Sequence, residues 1–144
     1  LHRFRLAGSG RVTELPPPGM VRHAALSRDG RSLAVLDADG RLRVYPAMEP
    51  GEARTVPTGE PLGPILWRPD GRHLWVQHLG TYTEVPSRIS VVDIETGRLR
   101  QTRSVGPTEA MGVNSVTRVV LSADERSWVA SYRRVLSELY QVIL

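Results

Sequence analysis

Apolar residues along the chain come in short runs separated by Gly, Pro and Asp, and one arrangement recurs three times at matching offsets. An apolar residue is followed three positions later by Asp, then by a turn residue, then by Arg. The instances are Leu26-Ser27-Arg28-Asp29-Gly30-Arg31, Trp67-Arg68-Pro69-Asp70-Gly71-Arg72 and Leu121-Ser122-Ala123-Asp124-Glu125-Arg126. Four residues after each Asp, a large apolar residue opens a β-prone run: Leu33–Leu36, Leu74–Val76 and Trp128–Ala130. Asp-Gly between apolar runs predicts a hairpin, because Gly accepts the positive φ of the turn and Asp bonds nearby backbone groups. Asp29, Gly30, Asp70, Gly71 and Asp124 are therefore expected to be structural turn residues. Glu125 stands where the other units have Gly, so its turn must either adopt another conformation or tolerate strain.

Each unit continues into a third run, Leu42–Tyr45, Ile89–Val92 and Leu139–Val142. A fourth element follows a turn glycine at Gly51–Val56 and Gly97–Thr102. Val135, Leu139 and Val142 also recur at helical spacing, but the register of the repeat favours a strand at the tail. Near the N-terminus, Phe4 precedes Gly10 as Tyr45 precedes Gly51, so the chain enters in the middle of a unit. Asp29 to Asp70 is 41 residues and Asp70 to Asp124 is 54, with the surplus falling near His78–Arg88 and Ser104–Asn114. Four short antiparallel strands per repeat of this length are the pattern of a propeller blade. The expected fold is all-β: a β-propeller fragment of about three four-stranded antiparallel blades. Residues 1–15 would be outer strands of a preceding blade, 20–58 and 60–103 full blades, and 113–144 a last blade lacking its outer strand.

Trp67-Arg68-Pro69-Asp70-Gly71-Arg72-His73-Leu74 resembles the Ser-Pro-Asp-Gly-Lys/Arg hairpin of TolB-like, WD-related propeller repeats. The tail, Ser127 to Tyr140, resembles the final blade of propellers appended to bacterial serine/threonine kinases and winged-helix regulators. These resemblances imply a propeller at the C-terminal part of a larger bacterial signalling protein, and they carry no ligand with them.

Composition narrows the chemistry. The 144 residues suit one domain. The absence of Cys excludes disulfides, thiolate metal sites and cysteine nucleophiles. No apolar stretch approaches the length of a membrane span, so no membrane insertion by this segment is expected, and the compartment is left open. The first residue is Leu rather than Met, which suggests a piece of a longer protein. All 19 basic residues are Arg and the net charge is +4, yet carboxylates are interspersed, so nucleic acid is not the expected partner. No Gly-x-Ser-x-Gly elbow occurs, the four His show no paired metal spacing, and Gly8-Ser9-Gly10 reads as a turn. Ser27 beside Asp29 reads as structural. Neither a metal nor a cofactor is expected. Trp67, Trp75 and Trp128 are expected to fill the space between stacked sheets.

The leading functional expectation is a non-enzymatic interaction or sensor module that binds a protein or peptide in preference to a small molecule. Strands two to three, and the links between blades, turn at one end, and that end carries the long loops. Tyr82, Glu84, Met111, Arg133 and Arg134 are its candidate partner-binding residues, with Arg133-Arg134 placed after the second strand of the last blade. A propeller-fold hydrolase or lyase would instead draw on His23, Glu109 and Arg22. A purely structural repeat region is a third reading. Finally, three blades do not close a ring. Either further blades precede Leu1, the arrangement favoured by strand count, or a second copy completes the propeller.

Overall fold

The computed structural model describes residues 21, 23–48, 51–80 and 85–136, together with two short strands near the N-terminus. Those two, β1 (His2–Arg3) and β2 (Thr13–Glu14), pair antiparallel. β3 (His23–Leu26), β4 (Ser32–Leu36), β5 (Leu42–Pro46) and β6 (Arg54–Thr55) form a four-stranded antiparallel sheet in chain order. β7 (Leu62–Trp67), β8 (His73–His78), β9 (Ser87–Asp93) and β10 (Leu99–Val105) form a second sheet of the same meander. β11 (Val113–Leu121) and β12 (Trp128–Arg134) pair as the described part of a third. The expected strand at Leu139–Val142 lies outside the described residues, as do Phe4 and Gly8-Ser9-Gly10. No helix occurs among the described residues.

The second sheet is buried on both faces because its strands alternate. Leu74, Val76, Val92 and Ile94 turn toward the first sheet and pack with Ala25, Ala34, Leu42 and Val56. Trp75, Ile89 and Val91 turn the other way and pack with Val116, Val119 and Leu121 of the third. A period of two on a strand sends neighbours to opposite faces, so one sequence register serves both interfaces. Two hydrogen bonds lock the stacking: Trp67 Nε1 donates to the Ala25 carbonyl (2.9 Å), and Gln77 Nε2 donates to the Val116 carbonyl (3.2 Å). Trp67 and Trp75 thus fill the gaps between sheets. Trp128 does not: it lies opposite Leu121 and so shares the face turned toward the second sheet, yet it is 47% exposed.

The three hairpins share one polar construction. Gly30, Gly71 and Glu125 each donate their N–H to the carbonyl three residues back, closing a β-turn. The φ values are 71°, 65° and 60°, so the Glu125 turn keeps the conformation of its glycine counterparts and accepts the strain. Ser27 and Ser122 donate Oγ–H to Asp29 (2.6 Å) and Asp124 (2.5 Å), and accept the N–H of Ser32 and Ser127. The second unit has Arg68 at the serine position, and Asp70 there accepts from the N–H groups of both Arg72 and His73. Partial burial works against the ionised Asp70, but those two N–H donors and the His73 ring outweigh it and bring the carboxyl down to about 2. The freed Arg68 reaches the neighbouring hairpin, with Nε 2.9 Å from Glu125 Oε1. Arg72 spans to the β9–β10 turn, where it meets both Asp93 and Glu95.

Strand limits depart from expectation at the outer edges. Of Gly51–Val56 only Arg54–Thr55 ladders, while the strand expected over Gly97–Thr102 starts at Leu99 and runs to Val105. A register shift between Arg100 and Arg103, with Gln101 at φ 52°, bulges β10. A bulged, arginine-bearing strand at a sheet edge discourages pairing with another chain.

Two predictions follow from the turns. Nothing lies within 4 Å of a Cβ placed at Gly30 or Gly71, so Gly30→Val and Gly71→Val should each lose roughly 1–3 kcal/mol through backbone strain alone. A Cβ at Gly97 (φ 70°) would collide with the Pro57 carbonyl, so Gly97→Ala should lose more than either in urea unfolding. The second concerns acid. Because Asp70 titrates below its ordinary 3.8 when folded, its contribution is complete above about pH 4 and disappears as the pH falls toward 2. Asp70→Asn should therefore melt lower than wild type at neutral pH, and the two melting curves should converge near pH 2.

Candidate functional site

The loop end of the sheets gathers the β4–β5 turn, the links between sheets and the end of β12. In the β4–β5 turn the carboxylates are already engaged: Arg43 lies 2.7 Å from Asp37 and 2.9 Å from Asp39. Beside the third sheet the arrangement is more open. The link 106–112 folds back on the residues after β12: Val135 donates its N–H to the Gly112 carbonyl (2.8 Å), and Arg134 Nη2 donates to the Glu109 carbonyl (3.1 Å). Gly112 sits at φ 71°, and a Cβ there would press on the Val135 carbonyl and the Leu136 side chain. That close approach puts Met111 beside the Arg134–Leu136 corner, with Met111 85% exposed and Leu136 also largely exposed. Arg133 and Arg134 end β12 itself, opposite Ser115 and Val113, instead of following the strand; the ladder extends further than the apolar run Trp128–Ala130 suggested. Tyr82 and Glu84 lie outside the described residues, as does Arg22.

His23 and Glu109 are far apart in role: the His23 ring packs close to Gly63 of β7, while Glu109 lies in the link beside Arg134. A constellation not expected from the sequence lies inside the second sheet. His78 Nε2 is 2.7 Å from Ser90 Oγ, which is 2.8 Å from Thr102 Oγ1, so one polar chain crosses β8, β9 and β10. Glu60 Oε1 approaches His78 Nδ1 at 3.1 Å, near enough for an ion pair with a protonated ring but not aligned as a hydrogen bond. Acid, imidazole and hydroxyl in this order resemble a hydrolytic triad. Ser90 is completely buried, however, and its hydroxyl is held between two side chains, so no substrate carbonyl reaches it. The network joins strands. Its signal in the sequence is a lone Ser within the otherwise apolar run Ile89–Val92.

Among the described residues no group of three or more His, Cys, Asp or Glu converges in a metal-binding arrangement. At the hairpin end, Leu26, Arg28, Leu66, Trp67, Pro69 and Ala123 line a shallow apolar recess of about 130 Å³.

Removing the central hydroxyl leaves a buried imidazole nitrogen unsatisfied, at a cost of about 1–3 kcal/mol. Ser90→Ala should show a loss of this size in urea unfolding, and Thr102→Val, at the partly exposed end of the chain, a smaller one.

The family described as the lipoprotein LpqB beta-propeller domain, Gmad1, matches residues 5–130. No curated protein matches the chain. Among solved structures, hydrazine synthase of Kuenenia stuttgartiensis is similar at 16% identity with a TM-score of 0.41. The match covers 86% of this chain and 47% of that one, so the chain spans about half the length of that relative. The family match runs through the two complete sheets and into the third, and the chain therefore belongs to the lipoprotein LpqB beta-propeller domain family, its all-β stack of sheets being a β-propeller fragment.

Proposed function

We propose that the domain is a non-enzymatic interaction module that binds a protein or peptide at the loop end of its third sheet, as part of a larger bacterial signalling protein. The observation that carries the reading is the corner where the link 106–112 meets residues 134–136. Met111 and Leu136 expose apolar surface there, and Arg133 and Arg134 flank it. Apolar anchors ringed by guanidinium groups match the composition of protein interfaces, where Met and Arg are enriched. The fold supplies the rigid base: both residue groups are tied to the β11–β12 ladder by backbone pairing, so little order has to be gained on binding. A lipoprotein's propeller domain suits such a role, and the Trp67–Leu74 hairpin supports kinship with TolB-like, WD-related repeats. The enclosure of Ser90 weighs against the hydrolase or lyase reading.

A photoreactive amino acid at position 111, in the full-length parent protein in its native host, should give an adduct with a protein other than a second copy. The adduct should disappear when Arg133 and Arg134 are both changed to Glu. The same probe at position 28, on the opposite end, should give none; adducts confined to position 28 would place recognition at the hairpin end and overturn the proposal.

A further inference from the structure

The seam between the first and second sheets is closed, and the seam between the second and third is open along its outer half. Leu74 and His78 of β8 hold the same positions in the repeat as Trp128 and Tyr132 of β12. All four stand on the face turned toward the preceding sheet: Leu74 and His78 lie opposite Trp67 and Leu62, and Trp128 and Tyr132 lie opposite Leu121 and Val116. Leu74 and His78 are buried, whereas Trp128 and Tyr132 are each 47% exposed.

Two arginines face these rings from the other side of the seam. Arg100 pairs with Val91 and Arg103 with Ile89, so both stand on the face of β10 turned toward the third sheet. Residues three apart in a regular strand point to opposite faces. The bulge between them, with Gln101 held at φ 52°, brings both side chains to one face, which is how a bulge re-aims a side chain. Both arginines are exposed, and the Arg103 guanidinium lies 5.5 Å from the centroid of the Trp75 ring.

The seam is short of negative charge. β10, β11 and β12 contain no Asp or Glu. Asp93, at the end of β9, is taken up by Arg72 and by the N–H groups of Glu95 and Thr96. Among the described residues neither Arg100 nor Arg103 has a carboxylate partner, and the buried Trp75 Nε1 has no acceptor.

We propose that this outer seam binds an acidic peptide segment in extended conformation, its carboxylates on Arg100 and Arg103 and its apolar side chains on Trp128 and Tyr132. A guanidinium is a planar fork that matches a carboxylate with paired hydrogen bonds, and the aromatic rings supply rigid apolar area. Sheets stacked about 10 Å apart admit an extended segment but not a folded domain. The bulge interrupts the β10 edge, so the segment lies between the two faces instead of adding a strand. Strands line the seam and the link 106–112 does not, so this inference stands apart from the proposed function at Met111.

In fluorescence anisotropy, the full-length parent protein should bind a labelled peptide of alternating Glu and Phe and should not bind its counterpart with Lys in place of Glu. Arg100→Glu and Arg103→Glu should each weaken binding by about tenfold or more, and added salt should weaken it in the wild type. Trp128→Ser should weaken it as well, whereas Met111→Ser should leave it unchanged, which separates the seam from the corner. Both arginines are exposed, so the far-ultraviolet circular dichroism spectra should match that of the wild type. Arg103→Gln replaces Arg103→Glu should a carboxylate beside Trp75 disturb the fold. A wild type that does not bind the Glu-Phe peptide, as expected where another part of the polypeptide fills the seam, overturns the proposal. So do folded arginine variants that bind as the wild type does, or tighter binding of an oligothymidylate of similar length, which would give the seam to single-stranded nucleic acid.

Discussion

The structure depends on burying both faces of the second sheet. A strand buried on both sides gives up the usual alternation of apolar and polar residues, and β8 does so: Leu74, Trp75 and Val76 are all enclosed. Such a strand has no stable setting unless a sheet lies on each side, so the first and third sheets are conditions for the second. The hydrogen bond from Trp67 to Ala25 and the one from Gln77 to Val116 then fix how each neighbour sits. Both donors are buried; the Trp67 N–H has this one partner, while Gln77 Nε2 also donates to Ser87 Oγ (3.2 Å), so the stacking geometry is specified as well as favoured.

The repeated hairpin follows from the same demand. Stacked sheets have to turn in register, and each turn leaves backbone N–H groups that the ladder does not reach. The units satisfy them with different side chains. Ser27 with Asp29, and Ser122 with Asp124, share the work, whereas Asp70 does it alone. That substitution releases position 68 from the turn, and Arg68 bridges to Glu125 of the next hairpin. Glu125 is strained at φ 60°, but the side chain that causes the strain also makes the bridge, so the cost and its offset arise from one residue.

The recurring Asp, the following turn residue and the apolar residue four positions on were enough to read the meander and its hairpins from sequence, because each is a local requirement of a tight turn. The family and the stacked sheets agree with that reading. Three features were not local and were not read. Trp128 looks like Leu74 in the repeat and shares the face of Leu121, but it is half exposed where Leu74 is fully buried. Arg133 and Arg134 look like loop residues, because a ladder can continue through charged side chains when its backbone partners are in place. The chain from His78 through Ser90 to Thr102 joins residues twelve apart at each step, a distance in sequence that only strand register converts into contact.

The two ends of the sheets differ because their polar groups face different demands. At the hairpin end, Asp29, Asp70 and Asp124 are all tied into their own turns, and Arg68 and Glu125 into each other. Changing any of them disturbs a fold element, which explains why the three units repeat there. At the other end the links differ in length, and the carboxylates of Asp37 and Asp39 are held by Arg43, but the side chains of Met111 and Leu136 are largely exposed. Residues that the fold does not use can vary with a partner. In the proposed reading, a stack built from repeats therefore keeps its identity at one end and acquires its specificity at the other.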